Sequence, residues 1–243
     1  MPLRPRTTEE QAAFFHENGY VLLEEAVSSA YLDRLRTATE TLTERKATDR
    51  NLLALSPVFE DLIDGHAGLP VLERLIGDDL QLLAMDLRTC PAGGGDMAWH
   101  TDHPYFSPVV NTVNCALYLD DLTPVNGALR VVPRSHRGPF TLTPDELFAP
   151  IPGEVTVECR AGTMVVFSDA LWHRTGRNET DRPRRGIFVY YGHFWHKQCA
   201  YPERPRPLRE MTEYIEGKGE RRAQLMGLFR RGSEFNVVPE ETR

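Results

Sequence analysis

Asn111-Thr112-Val113-Asn114-Cys115-Ala116-Leu117-Tyr118-Leu119 splits into two alternating sets of side chains. Val113, Cys115, Leu117 and Leu119 are uniformly apolar, whereas Thr112, Asn114, Ala116 and Tyr118 are mixed. A strand turns successive side chains to opposite faces, so the first set belongs between packed layers and the second is the candidate lining of a pocket. Working outward, similar short runs lie at Leu80 to Arg88, Ala128 to Val132, Val155 to Cys159, Met164 to Phe167 and Gly186 to His193, separated by turns rich in Gly, Pro and Asp. Regular short strands with such punctuation predict a sandwich or barrel.

Upstream the period is helical. Thr7 and Glu10 form a capping-box pattern ahead of Phe14, Phe15 and the stop at Gly19; Tyr20 to Leu23 reads as a short strand. A second helix starts near Ser28-Ser29, and residues 57–76 predict two short helices broken around Gly65-His66-Ala67-Gly68, with His66 in an exposed loop. The expected architecture is mainly β with helical additions: a jelly-roll, cupin-like core (the double-stranded β-helix) at 80–200, N-terminal helices at 7–79 and an extension at 201–243. Its 243 residues fit one such domain, able to bury a core without staples. In the extension, Met211 to Ile215 and Ala223 to Phe229 read as short helices that pack on the domain or on a second subunit.

A net charge of −7 argues against nucleic acid or an anionic membrane as partner. Cys90, Cys115, Cys159 and Cys199 are scattered, as reduced thiols of a cytoplasmic protein would be. No leader and no apolar run of membrane-spanning length is evident, so a soluble monomer or homodimer is expected. Pro91 to Met97 carries three consecutive glycines without phosphate-loop spacing; it reads as a lid or as an ordinary strand connection.

The chemistry concentrates in Trp99-His100-Thr101-Asp102 and Trp172-His173-Arg174-Thr175. A His and a carboxylate one residue apart, plus a distant His, form the ligand set of a facial 2-His-1-carboxylate iron site, which leaves metal positions open for reaction. Catalytic zinc takes similar ligands, so these three residues leave the metal undecided. The surroundings narrow it. His100, Asp102, His173, Thr175 two residues on and Arg184 eleven residues on, with Asn126-Gly127-Ala128-Leu129 and Pro133-Arg134-Ser135-His136 between them, resemble the phytanoyl-CoA dioxygenase family. Arg134 stands where that family usually has Gly before Ser-His.

The resemblance covers about residues 7 to 200. It implies a jelly roll with Fe(II) inside one end, held by His100, Asp102 and His173, and 2-oxoglutarate and O2 as cosubstrates. Arg184 and Thr175 would bind the distal carboxylate of 2-oxoglutarate, and a C–H bond of a small molecule would be hydroxylated. With Asp102 present, no position is freed for chloride, unlike in the halogenating relatives. Asp86 and Arg88 share a strand face, and with His103, Phe106, Asn114, Tyr118 and Trp195 they are candidate substrate contacts. Arg88, Arg130 and Arg174 are each able to recognise an acid. His136 is expected in a structural turn, and His193 and His196 at most touch substrate. A cupin-fold metal-dependent hydrolase or isomerase without 2-oxoglutarate and a non-catalytic metal-binding sensor are the other readings, and neither gives Arg184 and Thr175 a reason for their spacing.

Overall fold

The computed structural model describes residues 5–43, 48–103, 109–198 and 208–228. Helix α1 (Thr8–Asn18) begins at the capping box of Thr7 and Glu10, and it stops at Gly19, whose φ of 85° is the left-handed conformation that glycine adopts without strain. β1 (Tyr20–Leu23), α2 (Ser29–Thr43) and β2 (Thr48–Arg50) follow. Two 3-10 turns, at Leu52–Ala54 and Pro57–Leu62, precede α3 (Leu69–Ile76). The remaining strands are β3 (Leu80–Cys90), β4 (Thr112–Tyr118), β5 (Leu129–Val131), β6 (Val155–Thr156), β7 (Met164–Ser168), β8 (His173–Thr175) and β9 (Arg184–His193).

They form a six-stranded antiparallel sheet, ordered β1-β7-β4-β9-β3-β2, and a three-stranded sheet, β6-β5-β8. The expected alternation in β4 sets the layers. Val113, Cys115 and Leu117 join Ile187, Val189 and Tyr191 of β9 against Phe15, Leu35 and Leu72 of the helices. Ala116 and Tyr118 point the other way and pack with Val165, Phe167, Leu129 and Val131 between the two sheets. This is the jelly-roll core, with helices on the outer face of the larger sheet.

Several boundaries differ from expectation. The run Val155 to Cys159 pairs continuously only over Val155–Thr156, and Cys159 returns as an isolated bridge to Leu122. β2 and β8 were not anticipated, being three residues each and too short for a period to show. The helix expected at Ala223 to Phe229 is α4 (Glu220–Leu225) instead, because Gly227 takes a φ of 88° and ends it; Phe229 lies outside the described residues. Two 3-10 turns, Leu208–Glu210 and Thr212–Tyr214, replace the other tail helix. Leu225 and Met226 are buried in the outer core, so this segment packs on its own chain.

His66 is a correction. It is buried rather than exposed, its Nε2 2.9 Å from the Tyr191 hydroxyl and its Nδ1 accepting from the Gly68 amide at 3.1 Å. Periodicity cannot see that a loop between two short helices is covered by the sheet behind it. Cys90, Cys115 and Cys159 are free thiols, and Cys199 lies outside the described residues. The glycine loop is strapped down by a Gly95–Arg177 bridge, by the Asn178 amide donating to Gly94 O (2.8 Å) and by Met97 N donating to Thr175 O (3.0 Å), which makes it a strand connection. Among the described residues, no helix is long and apolar enough to cross a membrane.

Candidate active site

His100 and His173 sit on segments that meet edge to edge. The amide of each donates to the carbonyl of the other, at 3.0 and 2.9 Å, and the ring centroids are 4.4 Å apart. His100 Nδ1 lies 2.9 Å from Ala98 O, and His173 Nδ1 lies 2.8 Å from Leu171 O. A carbonyl only accepts, so each Nδ1 carries its proton and each Nε2 keeps a free lone pair. Asp102, two residues after His100, turns Oδ1 to 3.9 Å from His173 Nε2 while Oδ2 accepts from Asn114 Nδ2 at 2.6 Å. Ligand atoms of the three residues all lie within 4.8 Å of one another. Burial pushes the His173 pKa down, which favours the neutral, ligating imidazole. Two neutral imidazoles with ring orientation fixed by backbone carbonyls, and one carboxylate held by an amide, fit a facial iron site.

Deeper between the sheets lies Arg184. It is 4% exposed, its guanidinium is 5.3 Å from the Tyr118 ring centroid and donates to Gly127 O at 2.9 Å, and its buried Nε has no partner. An unpartnered donor on a buried cation is costly unless an acceptor arrives, and the distal carboxylate of 2-oxoglutarate is such an acceptor. Thr175, half-buried, lies two residues beyond His173 on β8. Arg185, the next residue on β9, faces outward and holds Asp120 through two nitrogens, at 3.0 and 2.8 Å.

A cavity of about 240 Å³ opens beside Asp102. It is lined by Asp86, Arg88, His103 and Asn114, all expected, by His196, allowed at most a substrate contact, and by Phe188, Tyr190 and Lys197, which were not among the expected contacts. A β-bulge at Leu83, between the pairs Leu82–Tyr191 and Ala84–Tyr190, re-aims β3 at this point. Two expected contacts lie elsewhere. Tyr118 is beneath Arg184, and Trp195 is 61% exposed and stacked on His193 at 4.0 Å. Phe106 lies outside the described residues. Asp169 had no sequence signal: buried, it accepts from Thr112 Oγ1 at 2.8 Å, and its Oδ2 is 3.7 Å from His103 Nε2. His136 packs near Phe15 with Nε2 3.2 Å from His16 O, away from the three candidate ligands. Arg134 has φ 71°, the left-handed conformation that explains a Gly at this turn in similar chains.

The family model for phytanoyl-CoA dioxygenase (PhyH) matches residues 52–186, more than half of the chain, and the protein belongs to that family. It is an iron- and 2-oxoglutarate-dependent dioxygenase that acts on a small molecule. Among curated relatives, the methylphosphonate hydroxylase of Gimesia maris is 27% identical over 208 residues, covering 76% of this chain and 80% of that protein. The ectoine dioxygenase of Sphingopyxis alaskensis is 26% identical over 227 residues, covering 74% of each. In fold, the chain is similar to HygX from Streptomyces hygroscopicus, solved with nickel and 2-oxoglutarate bound, at a TM-score of 0.70 and 22% identity over 80% of this chain and 90% of that one. Apo EctD from S. alaskensis gives 0.64 and 25%, covering 80% and 79%.

Proposed function

We propose that His100, Asp102 and His173 hold the iron, that Arg184 and Thr175 bind the distal carboxylate of 2-oxoglutarate, and that a small polar metabolite in the cavity beside Asp102 is hydroxylated. The observation that carries this reading is the convergence of two proton-free Nε2 atoms and one carboxylate within 4.8 Å. Iron(II) with 2-oxoglutarate supplies an oxidant, consuming O2 and releasing succinate and CO2 as a substrate C–H bond becomes C–OH.

The chain's own residues position that chemistry. Ala98 O and Leu171 O fix the imidazole tautomers, and Asn114 holds one carboxylate oxygen so that the other turns toward His173. Arg184 anchors the far end of the cosubstrate in a buried, low-dielectric place where a charge-assisted contact is strong. Phe188 and Tyr190 wall the substrate side against water. Names of the relatives support small polar substrates, methylphosphonate and ectoine among them. The net charge of −7 supports a protein that binds neither nucleic acid nor an anionic membrane, and we take it as one cytoplasmic domain, monomer or homodimer. Membership in this family sets aside the hydrolase, isomerase and sensor readings. The test is anaerobic reconstitution with iron(II) and 2-oxoglutarate, then a metabolite screen for substrate-stimulated succinate release. No stimulation by any small metabolite would overturn the substrate assignment, and no 2-oxoglutarate binding would overturn the site.

A further inference from the structure

The cavity beside Asp102 carries free positive charge, and we propose that Arg88, with Lys197 beside it, binds an anionic group of the substrate, a carboxylate or a phosphonate. This rests on the reading of that cavity as the substrate site. Of the three arginines able to recognise an acid, two are engaged elsewhere. Arg130 pairs with Glu154 at 3.0 Å. Arg174, 4% exposed, donates to Phe148 O at 3.0 Å and lies over Trp99, 5.0 Å from the ring centroid. Arg88 remains: its guanidinium lies 5.4 Å from the ring centroid of Phe188, and both residues line the cavity.

The carboxylates around the cavity are already occupied. Asp86 accepts from the Asn51 amide at 3.2 Å. Asp102 is one of the three converging ligands, and Asp169 accepts from Thr112 at 2.8 Å and from Ser168 at 3.2 Å. Among the described residues, the side chains of Arg88 and Lys197 have no hydrogen-bond or ion-pair partner. A guanidinium lying over an aromatic ring keeps its N–H edge for two parallel bonds to a carboxylate or a phosphonate, and the ring holds it in place without consuming those donors. Across the sheet, Arg88 pairs with Gly186, whose lack of a side chain leaves that inner position to the Tyr118 and Phe188 rings. At about 240 Å³ the cavity is smaller than a typical drug-sized site of roughly 300–1,000 Å³, so the acid is small.

The test is calorimetric titration of the anaerobic iron(II)–2-oxoglutarate protein with methylphosphonate and with propionate, using propionamide as the uncharged counterpart, at low and high salt. The two anions distinguish a phosphonate from a carboxylate preference. At least one anion should bind about tenfold or more tighter than the amide, and more weakly as salt rises. Arg88→Met should weaken that anion by about tenfold, Lys197→Met by less, and Arg88→Lys should restore part of the loss, with 2-oxoglutarate affinity kept within about twofold. Melting curves check that the variants fold. If Arg88→Met does not, Arg88→Lys and the salt dependence decide. Three results overturn the proposal: no binding of either anion by about 20 mM, propionamide binding as well as propionate with methylphosphonate no better, or Arg88→Met weakening 2-oxoglutarate itself about tenfold, which would assign Arg88 to the cosubstrate. A wild-type protein that fails to bind 2-oxoglutarate at all breaks the earlier reading instead, and a separate titration reveals it.

Discussion

On the outer side of the large sheet, His66 and Tyr191 close on one another. His66 uses both ring nitrogens, Nδ1 accepting from Gly68 and Nε2 donating to the Tyr191 hydroxyl, which in turn donates to the carbonyls of Leu62 or Ile63. On the inner side, His100 and His173 use only Nδ1, and Arg184 leaves its buried Nε unpartnered. His66 and His173 are equally buried, at 5% and 6% exposure, so burial does not separate them. What does is satisfaction: His66 is complete within the protein, whereas His173 keeps Nε2 free beside the Asp102 carboxylate.

The largest effect expected from breaking this contrast is on the inner side. Replacing His100, Asp102 or His173 with Ala should abolish most iron binding and activity, while His103→Ala and His136→Ala keep the metal; iron content of the purified, folded variants measures this. Folded His136→Ala without iron would falsify the assignment.

Next is the Arg184–Arg185 pair, adjacent residues on opposite faces. Arg184→Gln should weaken 2-oxoglutarate by about 1.5–3 kcal/mol, at least about tenfold, because a charge-assisted contact in a buried site is lost. Arg185→Gln should leave that affinity within about threefold, yet lower the melting temperature by a few degrees through its lost Asp120 contact. The titration follows the visible band of the anaerobic complex, and the reverse order of effects would mean the β9 register is misplaced.

A smaller effect is expected for Asn114→Leu, which frees the Asp102 carboxylate and should reduce iron affinity about tenfold to a hundredfold with the fold intact. Unchanged affinity would show that Asn114 serves substrate alone.

The smallest expected change lies on the outer side and touches stability only. Tyr191→Phe strips His66 of its partner and should cost about 1–3 kcal/mol in denaturant unfolding, leaving cosubstrate affinity unchanged. Burial pushes the His66 pKa down to about 4, so the folded state binds its proton less readily than the unfolded chain does. The stabilisation it gives is therefore complete above pH ~6.5 and is lost as pH falls toward 4. A shallower stability loss over that window in His66→Gln would confirm the group, and an identical slope would exclude it.

The β4 alternation, the longer strands, the capping box at Thr7 and the His-x-Asp with its distant His were legible in the sequence, because each rests on a short-range period or a fixed spacing. Tertiary structure decided the rest. It put His66 inside, made Asn114 a partner of Asp102, brought Asp169 to His103, and left Arg88 alone facing the cavity while Arg130 and Arg174 found partners. The physical reason is that local pattern tells which face of an element a side chain occupies, whereas hydrogen-bond satisfaction and charge balance depend on atoms supplied by strands and loops far away in the chain.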